Sequence, residues 1–400
     1  MTVETTRFAT RALHSARVRE TASSRATPIY LTAGFEFTDF EHAADHFDTG
    51  AGFGYTRTGN PTVQAVERQL AALERGADAV LVASGQAAVA TALVSVAGAG
   101  DHIVSSTHIY EGTRGLLVEN LARFGIETTF VDDIDSPEAW RAAVRPNTRA
   151  FFAESLANAR NDVIDVAAIS ALADEFAVPL IIDNTLATPV LLRPLEHGAA
   201  MVVHSASKFL AGHGSVLGGV IVGDTLARIA YARESVVPRF GASPSPLNAF
   251  LIGQGVETLK LRVERQSQTA LQLARWLSTH DAVESVDYVG LATHPSHERA
   301  ARSFDVGFGS VFTFTLRGGL AAARHFVEHV GVFTHMTHIG DVRSLVLHPA
   351  STSHTQRTAA ERQTLGVHPG TLRVSIGIED IEDLVADLDR ALEGSRELIA

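Results

Sequence analysis

The chain has 400 residues, 46% of them hydrophobic, which is enough to bury one large core and a second smaller one. A formal net charge of −12, with no lysine- or arginine-rich run, argues against nucleic acid and anionic membranes as partners. The absence of cysteine excludes disulfides, cysteine nucleophiles and thiolate metal sites. Without an apolar stretch of roughly 20 residues or a secretory signal, a cytoplasmic protein that binds small molecules is expected.

The first part of the chain gives the weakest structural signal. Residues 1–60 are rich in Gly, Thr and Arg and show no long periodic pattern, so we expect an arm or a set of loops. A helical pattern then runs from Thr62 to Arg75.

Short β-branched apolar runs alternate with helical patterns between about residues 79 and 223. This alternation predicts an α/β fold with a mostly parallel, seven-stranded sheet wrapped by helices. The predicted strands are Ala79–Ser84, His102–Ser106, Glu127–Val131, Arg149–Glu154, Pro179–Asp183, Ala200–His204 and Leu217–Gly223. The predicted helices between them are Gln86–Ala97, Gly112–Phe124 and Val166–Phe176. In such sheets ligands bind at the carboxyl ends of the strands.

The last third of the chain predicts a second, smaller α+β domain. A long helical region spans about residues 245–280, strands are expected near Gly309–Leu316 and Leu372–Ile376, and Glu379–Leu398 reads as an amphipathic helix. A Gly-, Ser- and Pro-containing stretch just before residue 247 places the boundary near residue 250. We therefore expect an arm at 1–60, a large domain at 61–250 and a C-terminal domain at 251–400.

Lysine is rare in this chain. Of the 33 basic residues, only Lys208 and Lys260 are lysines. Arginine can supply the same surface charge, but its guanidinium stays protonated, whereas a lysine amine can lose its proton and form an imine. Lys260 lies in a charged amphipathic helical pattern, where a solvated side chain is ordinary. Lys208 follows a predicted buried strand and precedes a run of glycines, which is a poor environment for a solvated charge.

Three segments have the chemistry to bind a phosphorylated ring. Ser205 and Ser207 flank the approach to Lys208, and a strand ends at Ser84-Gly85-Gln86, where a helix begins and presents free N–H groups to an anion. Asp183 ends an apolar strand and is suited to pair with a ring nitrogen. Each feature alone has an ordinary alternative: a lysine in a glycine-rich loop, a helix cap at Ser84, or a capping carboxylate at Asp183.

Six motifs, in chain order, resemble those of the Cys/Met-metabolism enzymes that depend on pyridoxal 5'-phosphate (PLP). This family includes cystathionine γ-synthase and γ-lyase, methionine γ-lyase and the O-acylhomoserine sulfhydrylases. The motifs are Tyr55–Thr62, Ser84–Ala88, Asp183–Thr185, Ser205–Lys208, His348–Thr352 and Arg373–Glu379, and the resemblance spans about residues 8–395. It implies PLP as cofactor, PLP fold type I (the aspartate-aminotransferase-like fold), and a homotetramer made of two active dimers.

The resemblance also implies roles for residues around the PLP ring. Lys208 would bind the cofactor as an imine and later carry protons, and Tyr110 would stack on the ring; these two are the expected catalytic residues. Asp183 would pair with the ring nitrogen. Asn158 would lie beside the ring hydroxyl, with Glu154 opening that motif.

The phosphate and the substrate have their own implied contacts. The phosphate-binding residues of one subunit would be Ser84, Gly85, Gln86, Ser205 and Ser207. Tyr55 and Arg57 of a neighbouring subunit would reach the same phosphate, and Tyr55 would also reach the substrate. Arg373 would bind the substrate carboxylate with its planar two-donor fork.

Several positions depart from the family pattern. Glu111 replaces the glycine that usually follows the stacking tyrosine, and His338 stands where relatives have Ser or Asn touching the substrate carboxylate. We expect both to bear on substrate binding. Leu156 and Ala159 replace prolines around Asn158. His338 lies three residues after a second histidine, His335, but with no third ligand in view we expect no metal.

Longer stretches of the chain are most similar to the O-acetylhomoserine sulfhydrylases. The expected reaction is γ-replacement on an O-acylhomoserine, O-acetylhomoserine first, with sulfide or a thiol, which gives homocysteine or methionine. The alternatives within the family are methionine γ-lyase, whose usual pocket cysteine is absent here, and cystathionine γ-lyase or γ-synthase. An alternative of another class is a catalytically silent binding homologue.

Overall fold

Two β-sheets organise the chain. The computed structural model describes residues 6–16, 24–158 and 160–396, so that Ala159 lies outside the described residues. A seven-stranded sheet is built from the first part of the chain and a five-stranded sheet from the last part. Among the described helices, none combines the length and the apolar character needed to cross a membrane.

The large sheet has the strand order β1-β7-β6-β5-β4-β2-β3. Its strands are Asp78–Val82 (β1), His102–Ser106 (β2), Glu127–Val131 (β3), Thr148–Glu154 (β4), Leu180–Asp183 (β5), Met201–Ser205 (β6) and Gly219–Gly223 (β7). Neighbouring strands are parallel except at β7, which runs antiparallel to β1 and β6. The prediction of a mostly parallel, seven-stranded sheet is confirmed, with strand ends that differ by at most two residues.

Ten helices of the first part are described. They are Phe8–His14 (α1), Phe40–Thr49 (α2), Pro61–Glu74 (α3), Gly85–Val94 (α4), Glu111–Gly115 (α5), Pro137–Ala143 (α6), Val166–Glu175 (α7), Thr188–Leu191 (α8), Leu226–Tyr231 (α9) and Val237–Phe240 (α10). The predicted single helix at 112–124 is instead α5 followed by a π-helical segment, Leu116–Leu121.

The expectation of loops throughout residues 1–60 was wrong for α1 and α2. Local chemistry defines α2: the side chain of Asp39 accepts a hydrogen bond from the backbone N–H of His42, and Gly50 ends the helix with a φ of 72°. None of the α2 residues is buried, and Phe40 and Phe47 are more than four-fifths exposed. Its apolar residues Phe40, Ala43, Ala44 and Phe47 nevertheless recur at helical spacing after the Asp39 cap, so the sequence carries a helical signal here that the prediction of loops overlooked.

The last part of the chain forms a smaller α+β unit around the strand order β10-β11-β12-β9-β8. The strands are Val283–Asp287 (β8), Val311–Leu316 (β9), Thr334–His335 (β10), Leu345–Leu347 (β11) and Thr371–Ser375 (β12). Pro246–Glu257 (α11) packs against α3 of the first part. The helices that follow it are Leu259–Leu277 (α12), His297–Ser303 (α13), Gly319–His329 (α14), Ala359–Thr364 (α15) and Ile381–Arg396 (α16). The predicted long helical region at 245–280 is thus two helices that meet at Thr258.

Both faces of the large sheet are covered. On β5, Ile181 packs into one apolar cluster and Ile182 into another on the opposite face. A strand that is buried on both sides reads as a continuous apolar run, which is why Leu180 and these two residues precede Asp183 without a polar interruption. Polar side chains therefore lie where the strands end, and the candidate site is found at those strand ends.

Candidate active site

A cavity of about 530 Å³ lies at the carboxyl ends of the large sheet's strands and is bordered on its other side by Arg373 of β12 and by the segment between β10 and β11. The sequence-predicted residues that line it are Ser84, Gly85, Gln86, Tyr110, Glu154, Asn158, Asp183, Ser205, Ser207, Lys208, His338 and Arg373. These twelve residues span nearly 300 positions, and the fold brings them together. Tyr55, Arg57 and Glu111 are not among the cavity-lining residues.

One end of the cavity is built to hold an anion. Ser84 caps α4 by accepting a hydrogen bond from the backbone N–H of Ala87 at 3.1 Å, and the first N–H groups of the helix remain free of intrahelical acceptors. A Cβ at Gly85 would lie 2.6 Å from the Cβ of Ser205, so only glycine lets α4 begin this close to that serine. The hydroxyl of Ser207 accepts the N–H of Gly218 at 3.0 Å.

A buried and a partly buried carboxyl group lie side by side at the ends of β4 and β5, where Glu154 is the register partner of Asp183. Burial raises the pKa of Asp183, and burial together with the neighbouring aspartate raises the pKa of Glu154 to about 8. One oxygen of Asp183 accepts the hydroxyl and the N–H of Thr185 at 2.5 and 2.9 Å. A pair of this kind favours a cationic partner, which lowers the cost of ionisation.

Glu154 organises its surroundings through backbone contacts. Its two oxygens accept the N–H of Tyr110 at 2.6 Å and the N–H of Asn158 at 3.3 Å. The sequence prediction placed Glu154 among the cofactor-binding residues, and in the structure the side chain orients two other residues of that set. Tyr110 itself is half exposed and lines the cavity.

The amine of Lys208 lies inside the cavity. Burial, and to a smaller extent the charge of Arg373, lowers the pKa of this amine to about 8, so that a proton leaves it far more readily than an ordinary lysine. Its Nζ atom lies 3.1 Å from Nδ1 of His338. Burial and the lysine charge lower the pKa of His338 to about 4, which keeps that imidazole neutral at physiological pH.

Arg373 lies on β12 with 6% of its surface exposed, and burial lowers its pKa to about 10. Its Nη1 donates to the side-chain oxygen of Asn158 at 3.3 Å. Within the described residues, no carboxylate forms an ion pair with it. A buried guanidinium without a protein carboxylate is suited to bind one from a ligand.

The remaining predicted residues lie elsewhere. Tyr55 is half exposed, and the Arg57 guanidinium, 5.4 Å from the centre of the Tyr55 ring, donates to the backbone oxygen of Pro238 at 2.7 Å. Neither residue lines the cavity of its own chain. Glu111 pairs with Arg357, a residue that sequence reasoning missed because its partner is 246 positions away. Thr185 was also missed as a ligand of Asp183, although its place two residues after an aspartate is the signal for such a bond.

The donor set fits PLP. Four groups that PLP would need meet in one cavity. They are the readily deprotonated amine of Lys208, the carboxylate of Asp183 for the ring nitrogen, the N-terminus of α4 for the phosphate and the ring of Tyr110 for stacking. The close approach of Gly85 to Ser205 leaves backbone rather than side chain at the anion end.

Comparison with known proteins agrees with this geometry. The family model described as Cys/Met metabolism PLP-dependent enzyme matches residues 9–393. The O-acetyl-L-homoserine sulfhydrylase of Leptospira meyeri is 40% identical, with 96% of each chain covered. The L-methionine gamma-lyase of Treponema denticola is 38% identical, again with 96% of each chain covered.

Solved structures show the same fold. An O-acetylhomoserine (thiol)-lyase structure from Campylobacter jejuni, which contains N'-pyridoxyl-lysine-5'-monophosphate, superposes with a TM-score of 0.93 at 34% identity, covering 96% of this chain and 99% of the other. MetB from Corynebacterium glutamicum superposes with a TM-score of 0.91 at 32% identity, covering 98% and 100%. The fold is thus PLP fold type I with a smaller second domain, as predicted. The chain belongs to the Cys/Met-metabolism PLP-dependent enzymes.

Proposed function

We propose that this enzyme catalyses γ-replacement on an O-acylhomoserine, with O-acetylhomoserine as the preferred substrate and sulfide or a thiol as the incoming nucleophile. With sulfide the products are homocysteine and acetate, and with methanethiol they are methionine and acetate. The observation that carries the proposal is that three groups meet in one cavity: the readily deprotonated amine of Lys208, the partly buried carboxylate of Asp183 and the guanidinium of Arg373, which pairs with no carboxylate among the described residues. The sulfhydrylase name of a relative that is 40% identical supports the choice of reaction.

Different residues of the cavity would bind different parts of PLP. Asp183 would hold the ring nitrogen of PLP, and the N-terminus of α4 with Ser205 would hold the phosphate. Tyr110 would cover the ring face. When bound, PLP withdraws electrons from the α-carbon of an amino acid and so acidifies its C–H bond.

The chain's own proton carrier is Lys208. Its amine would remove the proton from the α-carbon and move protons to and from the β-carbon, which allows the acyl group to leave the γ-carbon as a carboxylate. The sulfur nucleophile then forms its bond at the γ-carbon. Arg373 would fix the substrate's α-carboxylate throughout, so that the γ-substituent is the only part of the substrate that changes.

We also propose that the active assembly contains at least two copies, and that the tetramer of the family resemblance is two such dimers. Tyr55 and Arg57 support this, because they are polar and exposed and do not line the cavity of their own chain. A second copy could place them at the phosphate end, where a guanidinium would complete the anion site.

A lyase that eliminates methanethiol from methionine is the second candidate. It is supported by the relative named L-methionine gamma-lyase at 38% identity. The two reactions use the same proton transfers and differ in whether sulfur or water completes the reaction.

One assay compares them. Purified protein is given O-acetylhomoserine with sulfide, O-succinylhomoserine with sulfide, cystathionine, or methionine, and the products are quantified as homocysteine, cysteine or 2-oxobutyrate. Homocysteine formed fastest from O-acetylhomoserine supports the proposal, whereas 2-oxobutyrate from methionine as the main product supports the lyase. A colourless protein that is inactive on all four substrates with added PLP indicates the silent binding homologue.

A further inference from the structure

His338 lines the cavity, and its ring contacts the amine of Lys208. Its Nδ1 atom lies 3.1 Å from Nζ, a hydrogen-bonding distance. Across the described residues, no other side chain shares a hydrogen bond with this amine. The contact joins the large sheet's lysine to the segment between β10 and β11 in the small sheet.

The number of hydrogens on each group fixes the direction of this bond. A lysine ammonium has three donors and no acceptor, and a neutral imidazole has one lone pair, so Nδ1 accepts and Nε2 carries the ring proton while the amine is charged. Once the amine has lost its proton, it offers a lone pair, and the other tautomer of the ring can donate to it from Nδ1. The same contact therefore holds the amine in both of its protonation states.

The second ring nitrogen has no competing partner. Nε2 of His338 is buried and makes no hydrogen bond within the described residues. The charged groups that face the pair are Arg373, from β12, and Asp341, which is already held by Arg343 at 3.0 Å. One ring nitrogen contacts Lys208 and the other is buried, so neither ring nitrogen is exposed to a substrate carboxylate in the cavity.

We propose that His338 is a positioning residue that holds the Lys208 amine by a hydrogen bond to Nδ1, and that Arg373 is left to bind the substrate carboxylate. This deepens the proposed function and rests on its assignment of proton transfer to Lys208. It gives His338 a different role from the one suggested by the Ser or Asn of related enzymes. When the amine is not bonded to cofactor, the hydrogen bond to His338 fixes its position, because no carboxylate pairs with the amine within the described residues.

The test uses the two-lysine composition of the chain. In the full-length protein freed of PLP, the rate at which each lysine is acetylated is measured by mass spectrometry as a function of pH, with Lys260 as the internal control. The variants are His338→Leu, which removes the acceptor but keeps an apolar side chain, and His338→Asn, whose amide oxygen can accept from nearly the same place.

A hydrogen bond to the charged form raises a pKa, so losing it should lower the pKa of Lys208. A bond to a charged group is worth about 1.5 kcal/mol, or roughly one pH unit. We expect the acetylation midpoint of Lys208 to fall by about one unit in His338→Leu and to stay near the wild-type value in His338→Asn. The acetylation of Lys260 should be the same in all three proteins. A variant that unfolds is recognised separately, because loss of burial would raise the Lys208 midpoint rather than lower it.

A second readout separates positioning from substrate binding. In the enzyme with PLP bound, we expect His338→Leu to lower kcat about tenfold more than His338→Asn, with little change in KM. An unchanged Lys208 midpoint in His338→Leu, together with a raised KM, would overturn the proposal and return His338 to the substrate carboxylate. The acetylation test uses no substrate, so it stands even where the proposed acyl substrate is wrong.

Discussion

Glu111 and Arg357, 246 positions apart, form an ion pair with three hydrogen bonds. The Nε atom of Arg357 lies 3.1 and 3.0 Å from the two carboxylate oxygens, and Nη2 lies 2.8 Å from one of them. The Arg357 side chain is 10% exposed and that of Glu111 is 24% exposed. The pair ties α5, which begins directly after Tyr110, to the segment between β11 and α15.

Removal of one partner should leave the other charge partly buried and unpaired. We expect Arg357→Leu to lower the free energy of unfolding by about 2 kcal/mol, and the double variant with Glu111→Gly to lose clearly less than the sum of the two single changes. Urea unfolding of the four proteins measures this coupling. Glu361→Gln is the matched control, since that carboxylate reaches Arg357 at only 3.6 Å. Strictly additive losses would show that the pair contributes nothing of its own.

Lys208 should be indispensable and Lys260 dispensable. Lys208→Ala removes the amine that would bind PLP and move protons, so the visible absorption of the bound cofactor should disappear and turnover should fall by roughly a thousandfold or more. Lys260→Ala removes an exposed lysine that pairs with Glu264 at 3.4 Å and should leave both unchanged. Absorption spectra and steady-state rates are the measurements. A yellow, active Lys208→Ala protein would refute the assignment.

Arg373 should act mainly through substrate affinity. Arg373→Lys keeps the charge but loses the planar two-donor fork, so KM for the amino-acid substrate should rise about 10- to 100-fold, corresponding to about 1.5–3 kcal/mol. The control, Arg302→Lys, changes an exposed side chain on α13 and should leave KM unaltered. A normal KM in Arg373→Lys would mean that the carboxylate is bound elsewhere.

Subunit complementation tests whether Arg57 serves a neighbouring copy. Arg57→Ala and Lys208→Ala proteins should each be nearly inactive. When they are unfolded together and refolded at equal concentrations, half of the dimers are mixed and one of their two sites is intact, so about a quarter of wild-type activity should return. Two samples refolded separately and then combined serve as the control. No recovery in the co-refolded sample, with dimers confirmed by light scattering, would place Arg57 outside the neighbouring site.

Glu154 should make the PLP-free protein less stable as pH rises. Its pKa is raised to about 8 in the folded state, whereas the unfolded carboxyl ionises near 4.5. Between those values the folded state holds more protons than the unfolded state, so the free energy of unfolding falls as pH increases. Glu154→Gln should flatten this slope between about pH 5 and 8, measured by urea unfolding. Glu298→Gln, at a highly exposed side chain, should retain it.

Much of the fold follows from local patterns. The apolar run that ends in Asp183, the serine cap before α4 and the alternation of strands and helices are properties of short segments, and they predicted the seven-stranded sheet and the polar residues at its strand ends. These local patterns succeed because a strand covered on both faces must be apolar along its length and can be polar only at its end. The scarcity of lysine, which is a property of composition, singled out Lys208 as the candidate for imine formation. The cavity-lining residues Tyr110, Asn158, His338 and Arg373 were identified only through the family resemblance.

Only the tertiary structure decided which departures from the family pattern have partners. Glu111 and His338 could be recognised as unusual in the sequence, but their contacts with Arg357 and Lys208 lie 246 and 130 positions away. Helix α2 likewise has apolar residues at helical spacing, and only the structure shows that none of them is buried. Sequence periodicity reports what each segment buries, whereas the pairing of distant polar groups depends on how the two sheets are brought together.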